Sequence, residues 1–149
     1  MDLRINDVAN AADNTCEWLR THPAYKQWFQ TRSNLLWIKG KPGAGKSTLM
    51  KYAILQKNPD ETIMASFFFN GRGSSIEKTP IGLYRSILHQ LLPRAPGQLS
   101  RLTLVYQERC ETRGEFGQKW SWHERELRDC LTNLLLAWQH AQYDFTLTH

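Results

Sequence analysis

The sequence predicts an α/β fold of three layers, αβα, in which helices cover both faces of a parallel sheet. Residues 35–38 are a continuous apolar run, which is typical of a strand buried on both faces. A glycine-rich segment, residues 40–47, follows almost directly. A strand, a glycine-rich loop and a helix in this order are expected at the start of an α/β domain. The helix is indicated by apolar residues at three- and four-residue spacing, at Leu49, Met50, Ala53 and Ile54.

The glycine-rich segment has the sequence GKPGAGKS and matches the phosphate-binding pattern G-x-x-x-x-G-K-[ST] at every fixed position. Its glycines allow successive N–H groups to point at phosphate oxygens, and the helix N-terminus adds a partial positive charge. Lys46 is expected on the β- and γ-phosphates, Ser47 on magnesium and Thr48 towards the α-phosphate. No catalytic residue is assigned. The predicted nucleotide-binding residues are Gly40, Gly43, Ala44, Gly45, Lys46, Ser47 and Thr48, with Ser47 as the metal ligand.

The predicted cofactors are ATP or GTP together with Mg²⁺. The N-K-x-D signature that recognises guanine in small GTPases does not occur in the sequence, which favours ATP. The net charge of +5 weakly favours anionic partners, and the phosphates of a nucleotide explain it most simply.

Two parts are predicted along the chain: a helical lead-in, residues 1–34, and a nucleotide-binding portion, residues 35–149. Residues 62–69 predict a second buried strand, followed by a loop in which Arg72 is expected to be solvated. A complete sheet needs more strands than these two, so an incomplete N-terminal part of a P-loop NTPase fold is predicted. Capping residues and apolar residues at helical spacing predict five helices. The first follows Asn14 and Glu17, the second begins at Pro23, the third extends from Thr79 to Leu92, the fourth covers residues 99–110, and the fifth extends from Ser121 through Trp138.

Cysteine spacing and hydropathy exclude several other classes. The three cysteines lack C-x-x-C spacing, so neither a disulfide framework nor a zinc site is indicated. No apolar run has the length of a membrane span, and the N-terminus has no signal-peptide core. A soluble, cytoplasmic protein is therefore expected, with no membrane partner and no specific nucleic-acid partner.

Four stretches of the sequence resemble a known family. They are residues 15–19 (TCEWL), 36–51 (LWIKGKPGAGKSTLMK), 67–70 (FFFN) and 83–92 (LYRSILHQLL). Together they resemble the NACHT NTPase domains of fungal NOD-like receptors of the heterokaryon-incompatibility type, which are often catalogued with the nephrocystin-3-like N-terminal domain. The resemblance extends from about residue 4 to residue 142.

This resemblance implies a signal-transducing NTPase of the STAND class, switched by ATP or GTP between closed and oligomeric states. It implies phosphate and magnesium roles for the loop residues named above. Family members follow the last helix with a Walker B strand that ends in acidic residues. Here Asp144 lies at the start of the possible strand, so the domain is expected to be truncated before Walker B and hydrolysis to be weak or absent. Exposed apolar strand faces are then expected to bind a protein partner or a second copy.

Two other interpretations stay open at this point. A small P-loop kinase or phosphotransferase, with its acceptor over residues 70–79, is the main alternative, although an arginine-rich lid and an acidic acceptor-binding residue are not evident. A basic nucleic-acid binder depends only on charge and scattered aromatic residues, and its affinity would fall steeply with salt.

Overall fold

The computed structural model describes residues 8–31, 36–56, 63–71, 73–140 and 145–148. The chain forms two compact units, one of residues 2–68 with residues 144–149 and one of residues 69–143. The predicted division between residues 34 and 35 lies outside the described residues and stays a prediction.

The first unit is built around a small helical core. The elements of this unit are α1 (Trp18–Thr21), α2 (Pro23–Gln30), α3 (Lys46–Leu55), β1 (Ile63–Ser66) and β2 (Phe145–Thr148). Helix α2 begins at Pro23, as predicted, because proline suits the first helical position, where no N–H bond is needed. The residues that fill the core are Cys16, Leu19, Tyr25, Leu49 and Ala53, with Leu36 and Ile38 packed against them.

The predicted three-layer fold with a parallel sheet is wrong. The described residues are mostly helical, and their strands are β1 and β2, which pair in parallel with Ile63 opposite Phe145. A pair of four-residue strands is too small to carry helical layers on both faces. The apolar stripe of α3 accordingly packs on helical residues such as Leu19 and Tyr25 and not on a broad sheet.

Both predicted strands differ from the structure. Of the run at residues 35–38, residues 36–38 are described, and they form an irregular segment outside any strand. Trp37 is 70% exposed there, while Leu36 and Ile38 are half-buried against the core. The predicted strand at residues 62–69 is shortened to Ile63–Ser66. Residues 36–38 are therefore a one-sided surface segment, not a strand buried on both faces.

The second unit is helical. It contains a 3₁₀ turn (Ile76–Lys78), α4 (Pro80–Leu91), a second 3₁₀ turn (Leu92–Arg94), α5 (Pro96–Arg113) and α6 (Glu124–His140). Its core forms where α4 packs against α6, and Ile87, Leu91 and Leu134 are almost completely buried. Thr79 caps α4 as predicted, because its hydroxyl accepts a bond from the N–H of Gly82 at 3.4 Å. All three predicted helices are present, and α5 is longer than the predicted residues 99–110.

Helix α5 buries none of its residues completely and is held by an aromatic cluster. The rings of Phe116 and Trp120 lie 5.8 and 5.7 Å from that of Tyr106. The Arg109 guanidinium lies 4.7 Å from the ring centre of Trp122 and forms an ion pair with Glu126 of α6. One face of α5 is thus attached to the unit, which leaves the other face to solvent.

None of the helices in the part of the chain that the structure describes is long and apolar enough to cross a membrane.

Candidate phosphate-binding loop

The candidate loop is positioned by the start of helix α3. Gly45 is the N-cap residue, and the N–H of Leu49 donates the first helical hydrogen bond to its carbonyl oxygen at 2.9 Å. Leu49 and Ala53 then pack into the core of the first unit, which fixes the helix to that unit. The predicted helix that follows the glycine-rich segment is therefore confirmed. The carboxyl end of the loop leads directly into this helix, which is packed in the core of the first unit.

The two glycines at 43 and 45 adopt backbone angles that favour glycine. Their φ angles are 79° and 76°, in the left-handed region that L-residues rarely occupy. Between them the N–H of Ala44 donates to the carbonyl oxygen of Lys41 at 3.2 Å and closes a turn. Gly40, by contrast, does not have a positive φ angle. Left-handed residues at alternate positions turn neighbouring N–H groups towards one side, which is the geometry of an anion-binding concavity.

The Lys46 side chain folds back across this loop. Its ammonium Nζ donates to the carbonyl oxygens of Gly40 and Lys41, each at 2.8 Å. The contact joins the first turn of α3 to the first residues of the loop. It places a positive charge beside the loop, and it provides the ammonium with two neutral acceptors, which an anion can displace.

Ser47 and Thr48 lie in the first turn of α3, with Ser47 exposed and Thr48 half-buried. No side chain caps the N-terminal N–H groups of this helix, because the N-cap residue is Gly45. Such N–H groups need an acceptor, and a phosphate oxygen is a suitable one. The donors present, which are backbone N–H groups, an ammonium and a hydroxyl, fit a phosphate group with a bound Mg²⁺.

The structure brings all seven predicted residues, 40, 43–48, into one continuous loop and helix turn. The sequence did not indicate the surroundings of the loop on its amino-terminal side. Trp37 is exposed there, and the ammonium of Lys39 lies 5.9 Å from its ring centre. Residues 36–38 are all apolar in the sequence, so hydropathy gave no signal that Trp37 faces solvent.

Two other residues considered from the sequence, Arg72 and Asp144, lie outside the described residues. Among the residues that are described, no group of three or more His, Cys, Asp or Glu side chains could hold a metal ion. The predicted metal ligand, Ser47, is not one of these residue types and is exposed in the first turn of α3.

A family model described as Nephrocystin 3, N-terminal matches residues 14–143 of the chain. The chain belongs to the nephrocystin 3 N-terminal family. The matched residues include the whole candidate loop and the helices of both units, so family membership applies to nearly the full described structure. Comparisons with curated proteins and with solved structures give no match. The nephrocystin-3-like part of the expected resemblance is thus confirmed.

Proposed function

We propose that this chain binds a nucleoside triphosphate with Mg²⁺ through residues 40–48, as the nucleotide-binding module of a NACHT-type, NOD-like signalling protein. The observation that carries the proposal is the arrangement of the loop. Gly43 and Gly45 are left-handed, the N-terminus of α3 has no side-chain cap, and the ammonium of Lys46 lies across the loop. These features supply N–H donors and positive charge at one place, which is what a triphosphate requires.

Binding exchanges one set of contacts of Lys46 for another. In the structure its ammonium donates to the carbonyl oxygens of Gly40 and Lys41. In the bound state it donates to the β- and γ-phosphate oxygens, which are charged acceptors and form stronger hydrogen bonds than carbonyl groups. The backbone N–H groups at residues 43–48 bind the remaining oxygens.

Magnesium, when bound, neutralises charge on the β- and γ-phosphates. The chain would supply the Ser47 hydroxyl as a ligand to this ion. We favour ATP over GTP because the N-K-x-D pattern does not occur in the sequence.

Turnover is proposed to be near background. The STAND-class resemblance implies a Walker B carboxylate at the carboxyl end of a strand, where it aligns the attacking water. In the given sequence Asp144 comes before β2 and not after it. Binding without efficient hydrolysis suits a module whose nucleotide state is a signal.

Membership of the nephrocystin 3 N-terminal family supports the proposal at the level of the domain. The more specific assignment, a NACHT domain of a fungal incompatibility receptor, depends on the sequence strings quoted for residues 36–51 and 83–92. The proposed place of action is the cytoplasm, where ATP and Mg²⁺ are available.

Calorimetric titration of the full chain with ATP and GTP, with and without Mg²⁺, tests this function. We expect saturable binding of Mg-ATP and a loss of affinity of roughly 10- to 100-fold in Lys46→Ala, because a charge-assisted contact is removed. Lys41→Ala is the matched control. It removes the same charge from the same loop, but the loop uses the backbone carbonyl of Lys41 and not its ammonium.

The two lysine variants distinguish specific from non-specific binding. Equal losses of affinity in Lys46→Ala and Lys41→Ala would mean that nucleotide affinity depends only on the positive charge near the loop. Unchanged affinity in Lys46→Ala, in a chain that still has the circular dichroism of the wild type, would refute the assignment of the loop.

A further inference from the structure

Helix α5 has two different faces. On the inner face, Tyr106 contacts the rings of the aromatic cluster and Arg109 pairs with Glu126. Leu104 lies away from these contacts and is 64% exposed, whereas Val105 lies beside Arg109 on the helix surface and is 37% exposed, and Tyr106 is itself 41% exposed. An isolated exposed leucine is ordinary, but two adjacent apolar side chains in the middle of an 18-residue helix form the centre of a face that another helix can cover.

Two opposite charges flank this apolar pair. Arg101 lies three residues before Leu104, and Glu108 lies three residues after Val105, and both side chains are exposed. The four positions follow the i, i+3, i+4, i+7 spacing of one helix face. At about 100° per residue, all four lie within roughly 50° of a common line along the helix. We call these four residues the outer α5 face.

The order of charges on the outer α5 face is self-complementary. A two-fold axis between Leu104 and Val105 places a second α5 antiparallel to the first. Arg101 of each copy then lies opposite Glu108 of the other, and the apolar pair of each copy packs on that of its partner. Parallel packing would instead place Arg101 beside Arg101 and Glu108 beside Glu108, which is repulsive.

We propose that the outer α5 face binds a second copy of this chain, as an antiparallel, two-fold symmetric helix pair. The occupant follows from the charges, because a two-fold contact requires each patch to complement itself, and this one does. The proposal is independent of the nucleotide function, since α5 lies in the unit of residues 69–143 and the phosphate loop in the other.

The contact is small. Two apolar residues and two exposed ion pairs bury much less than the roughly 1,200–2,000 Å² of a stable interface, and exposed ion pairs contribute little. The dimer is therefore weak and reversible, and it forms at high protein concentration. Its orientation and specificity come from the charges.

Sedimentation equilibrium of the full chain over a wide concentration range tests the proposal. The wild type is expected to rise from the chain mass of 17.4 kDa towards twice that value. Arg101→Glu places two glutamates opposite each other at both ends of the contact, and Glu108→Arg does the same with arginines. Each variant is expected to raise the dissociation constant roughly tenfold or more.

Mixing the two variants gives the decisive result. Arg101→Glu and Glu108→Arg restore both opposite-charge pairs in a heterodimer, so the equimolar mixture is expected to associate as the wild type does. Arg113→Glu is the matched control, because it makes the same change of charge on the same helix away from the outer α5 face. This control is expected to associate as the wild type does.

Several results would overturn the proposal. They are a wild-type chain that stays at the monomer mass up to its solubility limit, single variants that associate as the wild type does, and a mixture that stays as dissociated as its components. If a charge variant does not fold, Leu104→Gln is used in its place and is expected to associate more weakly than the wild type. Association of Leu104→Gln as strong as that of the wild type would also contradict the proposal.

Discussion

Replacing Gly45 by alanine tests the backbone geometry on which the proposed phosphate-binding loop depends. Gly45 has φ 76° and ψ 14°, and an L-residue in this left-handed conformation costs about 1–2 kcal/mol. A Cβ atom added at this position would meet no other atom within 4 Å, so no steric clash adds to that cost. Gly45→Ala is therefore expected to lower the free energy of unfolding of the first unit by about 1–2 kcal/mol.

Amide hydrogen exchange measures this loss directly at the N–H groups of α3. The N–H groups of Leu49 and Ala53 lie in the helix that Gly45 begins, and their exchange reports the opening of that helix. A loss of 1–2 kcal/mol corresponds to exchange that is about 5- to 30-fold faster. Asparagine tolerates the left-handed region better than alanine, so Gly45→Asn is expected to give a smaller effect.

Gly40→Ala is the control within the same loop. The φ angle of Gly40 is not positive, and an added Cβ would meet the Cβ of Ala44 at 3.5 Å and the side chain of Lys46 at 3.6 Å, which are ordinary contacts. Exchange in α3 is therefore expected to be unchanged or slower, because alanine restricts the unfolded chain. Equal exchange rates in Gly45→Ala and the wild type would refute the left-handed geometry of Gly45.

Two predictions concern the second unit. Leu134→Ala removes a completely buried side chain from α6 and is expected to cost about 2–5 kcal/mol in chemical unfolding, whereas Leu136→Ala, at a position 47% exposed, is expected to change stability by at most about 0.5 kcal/mol. The hydrogen bond from Arg109 lowers the pKa of Glu126. Its stabilising contribution is complete above the ordinary glutamate pKa and is lost as the pH falls through the lowered pKa, so the stability difference between wild type and Glu126→Gln should shrink on acidification. A difference that stays constant between neutral and acidic pH would contradict this assignment.

The helices were predictable because their signals are local. The Thr79 cap and Pro80 fix the start of α4, and the buried Leu127, Leu131 and Leu134 follow the 3.6-residue period of α6. The turn at residues 43–45 and the start of α3 were predictable for the same reason, since the glycines and Lys46 lie within a few residues of one another, and phosphate binding there stays a prediction. Local patterns thus indicated the helices and the loop, but not their packing.

The predicted sheet failed because a short apolar run does not specify its partners. Residues 36–38 are as apolar as a buried strand, yet Trp37 faces solvent and only one side of the segment packs on the core. The Arg109 cluster was missed for a related reason. Its partners Trp122 and Glu126 come from residues far along the chain, and no periodic pattern connects them.

The central claim is that the backbone at residues 43–48 holds the phosphates of a nucleotide. A ¹H–¹⁵N NMR titration of the full chain with Mg-ATP measures this most directly, because each backbone N–H gives its own signal. We predict saturable shifts at Gly43, Ala44, Gly45 and Lys46, with residues of α5 and α6 unaffected. Unchanged signals at these four positions at a saturating concentration, or shifts confined to another part of the chain, would contradict the account.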